Sequence, residues 1–415
     1  DPRKAGGVRV IDRKTGEVRQ IPLDGDTWES VQVSPDGKYV SSEMPNQAVR
    51  VWDAGTGRVV FEEPRGKDHA LLGHLTAPDG RGLALSLRGT WPRVTPATPG
   101  ASPSYAAVTL TDHRSGRTRA LDPMPWAIYA NGARFTRDGT RLVLHANYDE
   151  GRDGGSLSVW DVRSGRRLMN WKTKTDGYIC AHAAAPDTRG VLVGDSVGTL
   201  TVVEVATGGE RAVFRHHGRV YSAAFAPDGT KVAASSPEAP VYVWDLIGEP
   251  AKWEPAKADA VWADLASTDA KAAFAAVRKL RANPAEAVAF LKERVKPSAA
   301  PTDAAIAGLL KRLDGPRFAD REQAQKELAS VADLVRPKLE AARKAATEEV
   351  ARRLDQVLKA ADEMTAEKLR QIRACEVLEG IGAPDAVRLL KGWAGGPAGA
   401  RLTLEAKESL DRLKP

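Results

Sequence analysis

Up to residue 253, the apolar positions come in short β-branched and aromatic runs. Examples are Val49-Arg50-Val51-Trp52, Leu157-Ser158-Val159-Trp160 and Val241-Tyr242-Val243-Trp244. Runs of this type favour strands. Asp-Gly pairs between them supply the positive φ that a tight hairpin needs. From Ala258 onward, apolar residues recur at helical spacing and Ala, Leu, Glu, Lys and Arg dominate. The pattern predicts an all-β region over 1–253 followed by an all-α region over 254–415.

The β region is periodic. A turn of Pro-Asp-Gly type recurs at Ser34-Pro35-Asp36-Gly37, Ala77-Pro78-Asp79-Gly80, Thr136-Arg137-Asp138-Gly139, Ala185-Pro186-Asp187-Thr188 and Ala226-Pro227-Asp228-Gly229. Its aspartates are spaced by 43, 59, 49 and 41 residues. In phase with it, an acidic residue closes an apolar run at Asp12, Asp53, Asp112, Asp161, Glu204 and Asp245. A glycine follows four residues after each of the first five, and Gly248 follows the last one residue early. Each unit therefore reads as four short antiparallel strands.

Trp52-Asp53, Trp160-Asp161 and Trp244-Asp245, phased with these turns, resemble the WD40 repeats of a β-propeller over residues 7–253. The resemblance implies that these six residues are structural. Thr111-Asp112 and Val203-Glu204 depart from the Trp-Asp signature, and His217-Gly218 reverses the family's Gly-His. Residues 8–22 supply two strands and five full blades follow, about five and a half in all. An open edge exposes unpaired backbone groups. The expectation is therefore a C-terminal portion of a longer chain whose complete ring has seven blades.

In that family, the connection between the second and third strands of a blade lies on the partner-binding face. Two neighbouring units are long there, at 88–104 and 149–155. Inserted loops on a rigid scaffold often carry function, although Pro/Gly-rich surface drift gives the same pattern. The expected contact residues are Trp91, Arg93, Tyr105, Asp149 and Arg152.

Catalytic patterns are sparse. Gly194-Asp195-Ser196-Val197-Gly198 matches G-x-S-x-G, which needs a strand before it and a helix after it. Here apolar strand-like runs lie on both sides, predicting a hairpin turn. His216-His217 would point to opposite sides of an extended segment, and the acidic stretch 149–153 lacks the alternating ligands of a calcium loop. No phosphate loop, H-E-x-x-H pair or dinucleotide fingerprint occurs. No catalytic residue, metal or cofactor is expected.

The net charge of +7 is spread evenly, with 32 basic against 29 acidic residues over 1–253 and 29 against 25 over 254–415. Nucleic-acid binders usually concentrate their basic charge, so a nucleic-acid partner is not expected. No run reaches the ~18 apolar residues of a membrane span. Cys180 and Cys375 are isolated, which excludes a disulfide framework and leans toward a reducing compartment such as the cytoplasm.

In the tail, Thr268 and Asn283 are candidate helix caps, and helices are expected near 302–313, 317–331, 333–346, 347–362, 365–380, 384–393 and 402–413. Leu369, Ile372, Cys375, Leu378 and Ile381 form one apolar stripe. Trp262-Ala-Asp-Leu, Phe290-Leu-Lys-Glu-Arg and Ala374-Cys-Glu-Val-Leu-Glu-Gly-Ile-Gly resemble the HEAT-like helical domain appended to many bacterial WD40-repeat proteins. The functional expectation is a non-enzymatic scaffold for protein partners. The alternative is a regulatory or sensory portion whose preceding segment is kinase-like or transcription-factor-like.

Overall fold

The computed structural model describes residues 7–11, 15–22, 30–34, 37–43, 49–63, 70–71, 83–86, 88–89, 105–106, 109–112, 117–122, 124–125, 129–147, 154–236, 239–249 and 251–414. The chain divides into two compact units, Asp1–Leu246 and Ile247–Pro415. The segment 247–253, which the sequence pattern groups with the strands, belongs to the second unit by its contacts. The Ile247 carbonyl accepts from Arg278 Nε, Trp253 N donates to Asn283 Oδ1 (3.0 Å), and the Trp253 ring meets Phe290 edge-on at 5.3 Å.

The first unit consists of antiparallel sheets. Strands β1 (Gly7–Ile11) and β2 (Val18–Pro22) form a hairpin. A four-stranded sheet follows in chain order from β3 (Ser30–Val33), β4 (Tyr39–Glu43), β5 (Val49–Asp53) and β6 (Val59–Glu63). Next come β7 (Ala70–Leu71), β8 (Leu83–Ser86), β9 (Arg88–Gly89), β10 (Tyr105–Ala106), β11 (Thr109–Asp112), β12 (Arg117–Ala120) and β13 (Met124–Pro125). Among these, β8, β11 and β12 make a three-stranded sheet, while β7 pairs with β9 and β10 with β13. Two more four-stranded sheets contain β14 (Tyr129–Phe135), β15 (Arg141–Asn147), β16 (Gly155–Asp161) and β17 (Arg167–Lys172), then β18 (Ile179–Ala184), β19 (Gly190–Asp195), β20 (Thr199–Glu204) and β21 (Glu210–Arg215). The last sheet has β22 (Ser222–Phe225), β23 (Lys231–Ser236) and β24 (Ala239–Asp245).

Four strands are expected in each of five units, but the sheets at 83–120 and 222–245 show three among the described residues. After Asp245 the chain runs Leu246-Ile-Gly-Glu-Pro, which offers no alternating run for a fourth strand.

Two turns recur in register. In the first, the residue after the aspartate donates back three residues: Gly37 N to Ser34 O, Gly139 N to Thr136 O, Thr188 N to Ala185 O and Gly229 N to Ala226 O, all 2.8–2.9 Å. The donor residue has positive φ, and at Thr188 a β-branched residue takes φ +63 where its counterparts are glycine. The second turn closes the third strand. Gly57, Gly165 and Gly208 donate to the carbonyls of Asp53, Asp161 and Glu204, and in each the acidic side chain accepts from a hydroxyl three residues on: Thr56, Ser164 or Thr207. The sequence therefore carries acid-x-x-Ser/Thr-Gly in all five full-length copies. A register shift accompanies each of these three turns, at Val51/Trp52, Val159/Trp160 and Val202/Val203.

Strands β16, β19 and β20 are buried almost throughout, with Val143, Val159, Ile179, Val191, Val193 and Val203 in one core. A strand covered on both faces has no polar side, which explains their near-continuous apolar or small residues. By contrast, β17 and β21 alternate.

The second unit is helical: α1 (Ala258–Asp264), α2 (Ala270–Arg281), α3 (Pro284–Arg294), α4 (Asp303–Leu313), α5 (Phe318–Lys344), α6 (Glu348–Asp362), α7 (Ala366–Ile381), α8 (Pro384–Ala394) and α9 (Arg401–Arg412). Helices α4, α5 and α6 share one apolar core. Helix α7, with Leu369, Ile372, Cys375 and Leu378 buried, packs against α2, α3, α8 and α9. Ile381, at its C-terminal end, is not part of that core.

Three local expectations are corrected. Asp269, not Thr268, caps α2, accepting from Lys271 N (2.9 Å) and Ala272 N (3.2 Å). Asn283 holds the N-cap position of α3, but its side chain bonds Trp253 N, Ala251 O and Lys279 O instead. The segments 317–331 and 333–346 form one helix that continues through Pro337. Burial of Ala332, Val335 and Leu339 in the α4–α6 core outweighs the loss of one helical donor.

Candidate interaction surface

Each four-stranded sheet starts and finishes at the same end, because its strands alternate in direction. The connection from second to third strand lies at that end too. The segment 149–155 is such a connection, between β15 and β16, whereas 88–104 lies between β8 and β11, the first two strands of a sheet that shows three among the described residues. Trp91, Arg93, Asp149 and Arg152 lie outside the described residues, as does the side chain of Tyr105. The Tyr105 backbone sits in β10, opposite Pro125.

The same end of the β18–β21 sheet carries a described cluster that motif reading passed over. Its frame starts with Gly194-Asp195-Ser196-Val197-Gly198, the turn between β19 and β20. Asp195 is buried, and its Oδ1 accepts from Val197 N (3.1 Å) and Thr199 N (2.6 Å). Its Oδ2 accepts from Thr175 Oγ1 (2.7 Å). Ser196 exchanges two bonds with the Tyr178 backbone: Ser196 N to Tyr178 O at 3.0 Å, and Tyr178 N to Ser196 Oγ at 3.2 Å. With strands on both sides and its hydroxyl oxygen accepting a backbone N–H, Ser196 sits in a hairpin turn.

The glycines of that turn answer to neighbours. A Cβ on Gly194 would come within 2.8 Å of Val220 Cβ, and one on Gly198, at φ +83, within 2.8 Å of the Gly218 carbonyl. The segment 216–221 is thereby pressed onto the turn. His216 N donates to Gly198 O (2.8 Å), Val220 N to Asp195 O (3.1 Å) and Tyr221 N to Ser235 O (2.9 Å).

This clamp presents Arg219. Its guanidinium carbon lies 4.9 Å from the Tyr178 ring centroid and 4.8 Å from that of Tyr221. Arg219 Nε donates to Cys180 Sγ at 3.3 Å. The two Nη atoms have no hydrogen-bond partner among the described residues and are open to solvent. Among the described residues no carboxylate balances the charge; the groups acting on it are Cys180, Tyr178 and Tyr221. Cys180 is half-buried, and burial pushes its thiol up while the Arg219 bond pulls it down. Tyr221 and Val197 are about half exposed, at 51% and 56%. The type signal Tyr178…Arg219…Tyr221 spans two units, so no local motif announces it.

Other candidates separate. His216 is buried edge-on to Tyr242 (4.9 Å), whereas His217 is exposed. His145 of β15 and His182 of β18 are both buried and meet Nδ1 to Nδ1 at 3.0 Å. Trp52 and Trp160 are buried and Trp244 half-buried, stacking on Phe214 at 5.5 Å. Asp53 and Asp161 cap their own turns, and the Thr56 N–H and hydroxyl hold the Asp53 carboxyl below its ordinary value. Asp245 opens the shorter turn that ends at Gly248. Among the described residues, no group of three His, Cys, Asp or Glu side chains could hold a metal ion, and no helix is long and apolar enough to cross a membrane.

No protein-family model matches the chain.

Proposed function

We propose that residues 1–253 are a WD40-type propeller portion, that 254–415 are a HEAT-like adaptor, and that the chain is a non-enzymatic scaffold for protein partners. The observation that carries this reading is Arg219, a cation with no carboxylate partner among the described residues, packed on two tyrosines and a hydrogen-bonded frame. Arg and Tyr dominate the energetics of protein interfaces, and a pre-ordered side chain loses little entropy on binding. The two recurrent turns, the repeated register shift and the doubly covered middle strands support stacked propeller blades. The connection between β15 and β16 takes the same second-to-third-strand position in its sheet as the turn that presents Arg219 takes in the next.

The test is affinity capture from the native host, comparing the chain with Arg219→Ala and with a variant whose residues 89–104 are replaced by a short Gly/Ser link. Loss of a defined partner from either variant, with thermal unfolding unchanged, supports the scaffold and locates its face. Identical partner sets from all three remove this end of the sheets as the binding face.

A further inference from the structure

We propose that the Tyr178–Arg219–Tyr221 cluster is a receptor for an acidic peptide segment, taking one Asp or Glu carboxylate on Arg219 and an adjacent apolar side chain on Tyr221 and Val197. This deepens the scaffold reading and rests on it.

A guanidinium has five donors in a planar fork, suited to the two oxygens of a carboxylate. Among the described residues only Nε is used, on Cys180, so the edge formed by Nη1 and Nη2 is left for a ligand. Both the Tyr178 and the Tyr221 ring lie within 5 Å of the guanidinium carbon, which packs the cation against aromatic surface without using its Nη donors. The obvious internal partner, Asp195, is buried and engaged by Thr175, Val197 and Thr199. Asp176, two residues from Tyr178, is exposed and is not among the groups acting on Arg219.

Two further basic or titratable side chains and one carboxylate, that of Asp176, are exposed near the cluster. Exposed Arg215 donates to Thr199 Oγ1, and His217 is exposed beside it. One free guanidinium edge matches a monoanionic, planar carboxylate; a phosphate dianion is usually met by a cluster of cations. The half-exposed Tyr221 ring and the Val197 methyls next to Gly177 offer the peptide an apolar contact on the same surface.

The experiment uses the full chain to select from a displayed library of random peptides, in parallel with Arg219→Ala and Arg219→Lys. The wild type is expected to enrich peptides with Asp or Glu next to an aromatic or aliphatic residue. The strongest of these, labelled for fluorescence anisotropy, should lose about tenfold or more in affinity when its acid becomes the amide or when Arg219 becomes Ala. Arg219→Lys keeps the charge but not the fork or the stacking, and should also bind more weakly. Phosphoserine in place of the acid should bind no better than the carboxylate.

Absence of acid enrichment, equal binding of the amide peptide, or unchanged binding by Arg219→Ala overturns the proposal. A phosphopeptide clearly preferred over the carboxylate overturns it in favour of a phosphate receptor. If host partners are still captured through 89–104 while acidic peptides are ignored, this inference falls and the scaffold stands. If neither occurs, both fall.

Discussion

Glu204 and Arg211 form an ion pair almost closed to water: Oε1 and Nη2 are 2.8 Å apart, with side chains 1% and 4% exposed. The other Glu204 oxygen accepts from Thr207 Oγ1 at 2.6 Å. Glu204 stands where the other full-length units have aspartate, and its extra methylene lets one carboxylate serve both the turn and an arginine seven residues away. Removing one partner leaves a buried charge without compensation. Arg211→Met should therefore destabilise the sheet unit by about 3–5 kcal/mol. Glu204→Leu combined with Arg211→Met should recover part of that loss. Denaturant unfolding followed by tryptophan fluorescence checks both, and additive losses would mean that the pair is not coupled.

Trp160 is fully buried, and its Nε1 donates to the Asp122 carbonyl at 2.9 Å, joining two sheet units. Trp160→Phe keeps most of the volume but strands that carbonyl, at an expected cost of about 1–3 kcal/mol. Trp160→Ala adds a cavity and should cost about 3–5 kcal/mol. Near-equal losses for the two would show that the hydrogen bond, rather than packing, dominates.

The buried His145–His182 contact makes stability depend on pH. One Nδ1 must donate and the other accept, so at least one ring is neutral at that nitrogen. Burial first, then the charges of His145 and Arg134, holds His182 well below its ordinary value of 6.5. As pH falls below 6.5, the unfolded chain takes up a proton at His182 that the folded chain refuses. Stability from this site is thus full above 6.5 and is lost on acidification from there toward the depressed value. The thermal midpoint should fall more steeply with acid for the wild type than for His182→Gln. Parallel profiles would assign the acid sensitivity elsewhere.

Two glycines of the helical unit should respond with opposite sign. Pro337 lacks the N–H that would otherwise bond the Asp333 carbonyl, and Gly399 lies against that exposed carbonyl. A methyl on Gly399 would overlap the Asp333 oxygen and come 3.1 Å from that of Leu334, so Gly399→Ala should cost about 1–3 kcal/mol. Gly308, exposed within α4 with nothing within 4 Å of its would-be Cβ, should gain about 0.5–1 kcal/mol as alanine. Helix melting followed by far-ultraviolet circular dichroism reads both.

Period-2 and helical patterning, with repeated turn residues, determine much of this protein from the sequence alone. Asp53, Asp161 and Glu204 close their strands because a short acidic side chain, a hydroxyl three residues on and a glycine with positive φ satisfy one another locally. Such chemistry is complete within five residues, so it is visible in the chain. The stripe on α7 is legible for the same reason. Tertiary structure decided the rest. Pro337 stays inside a helix because its neighbours are buried against α4 and α6, a gain that no local preference records. Asn283 abandons its cap for a segment about thirty residues earlier. Tyr178 and Arg219 are 41 residues apart and ordinary in their own surroundings. They meet only because the turn at 195–199 fastens the segment 216–221 onto the start of β18, and nothing in local spacing encodes a contact made through a third piece of chain.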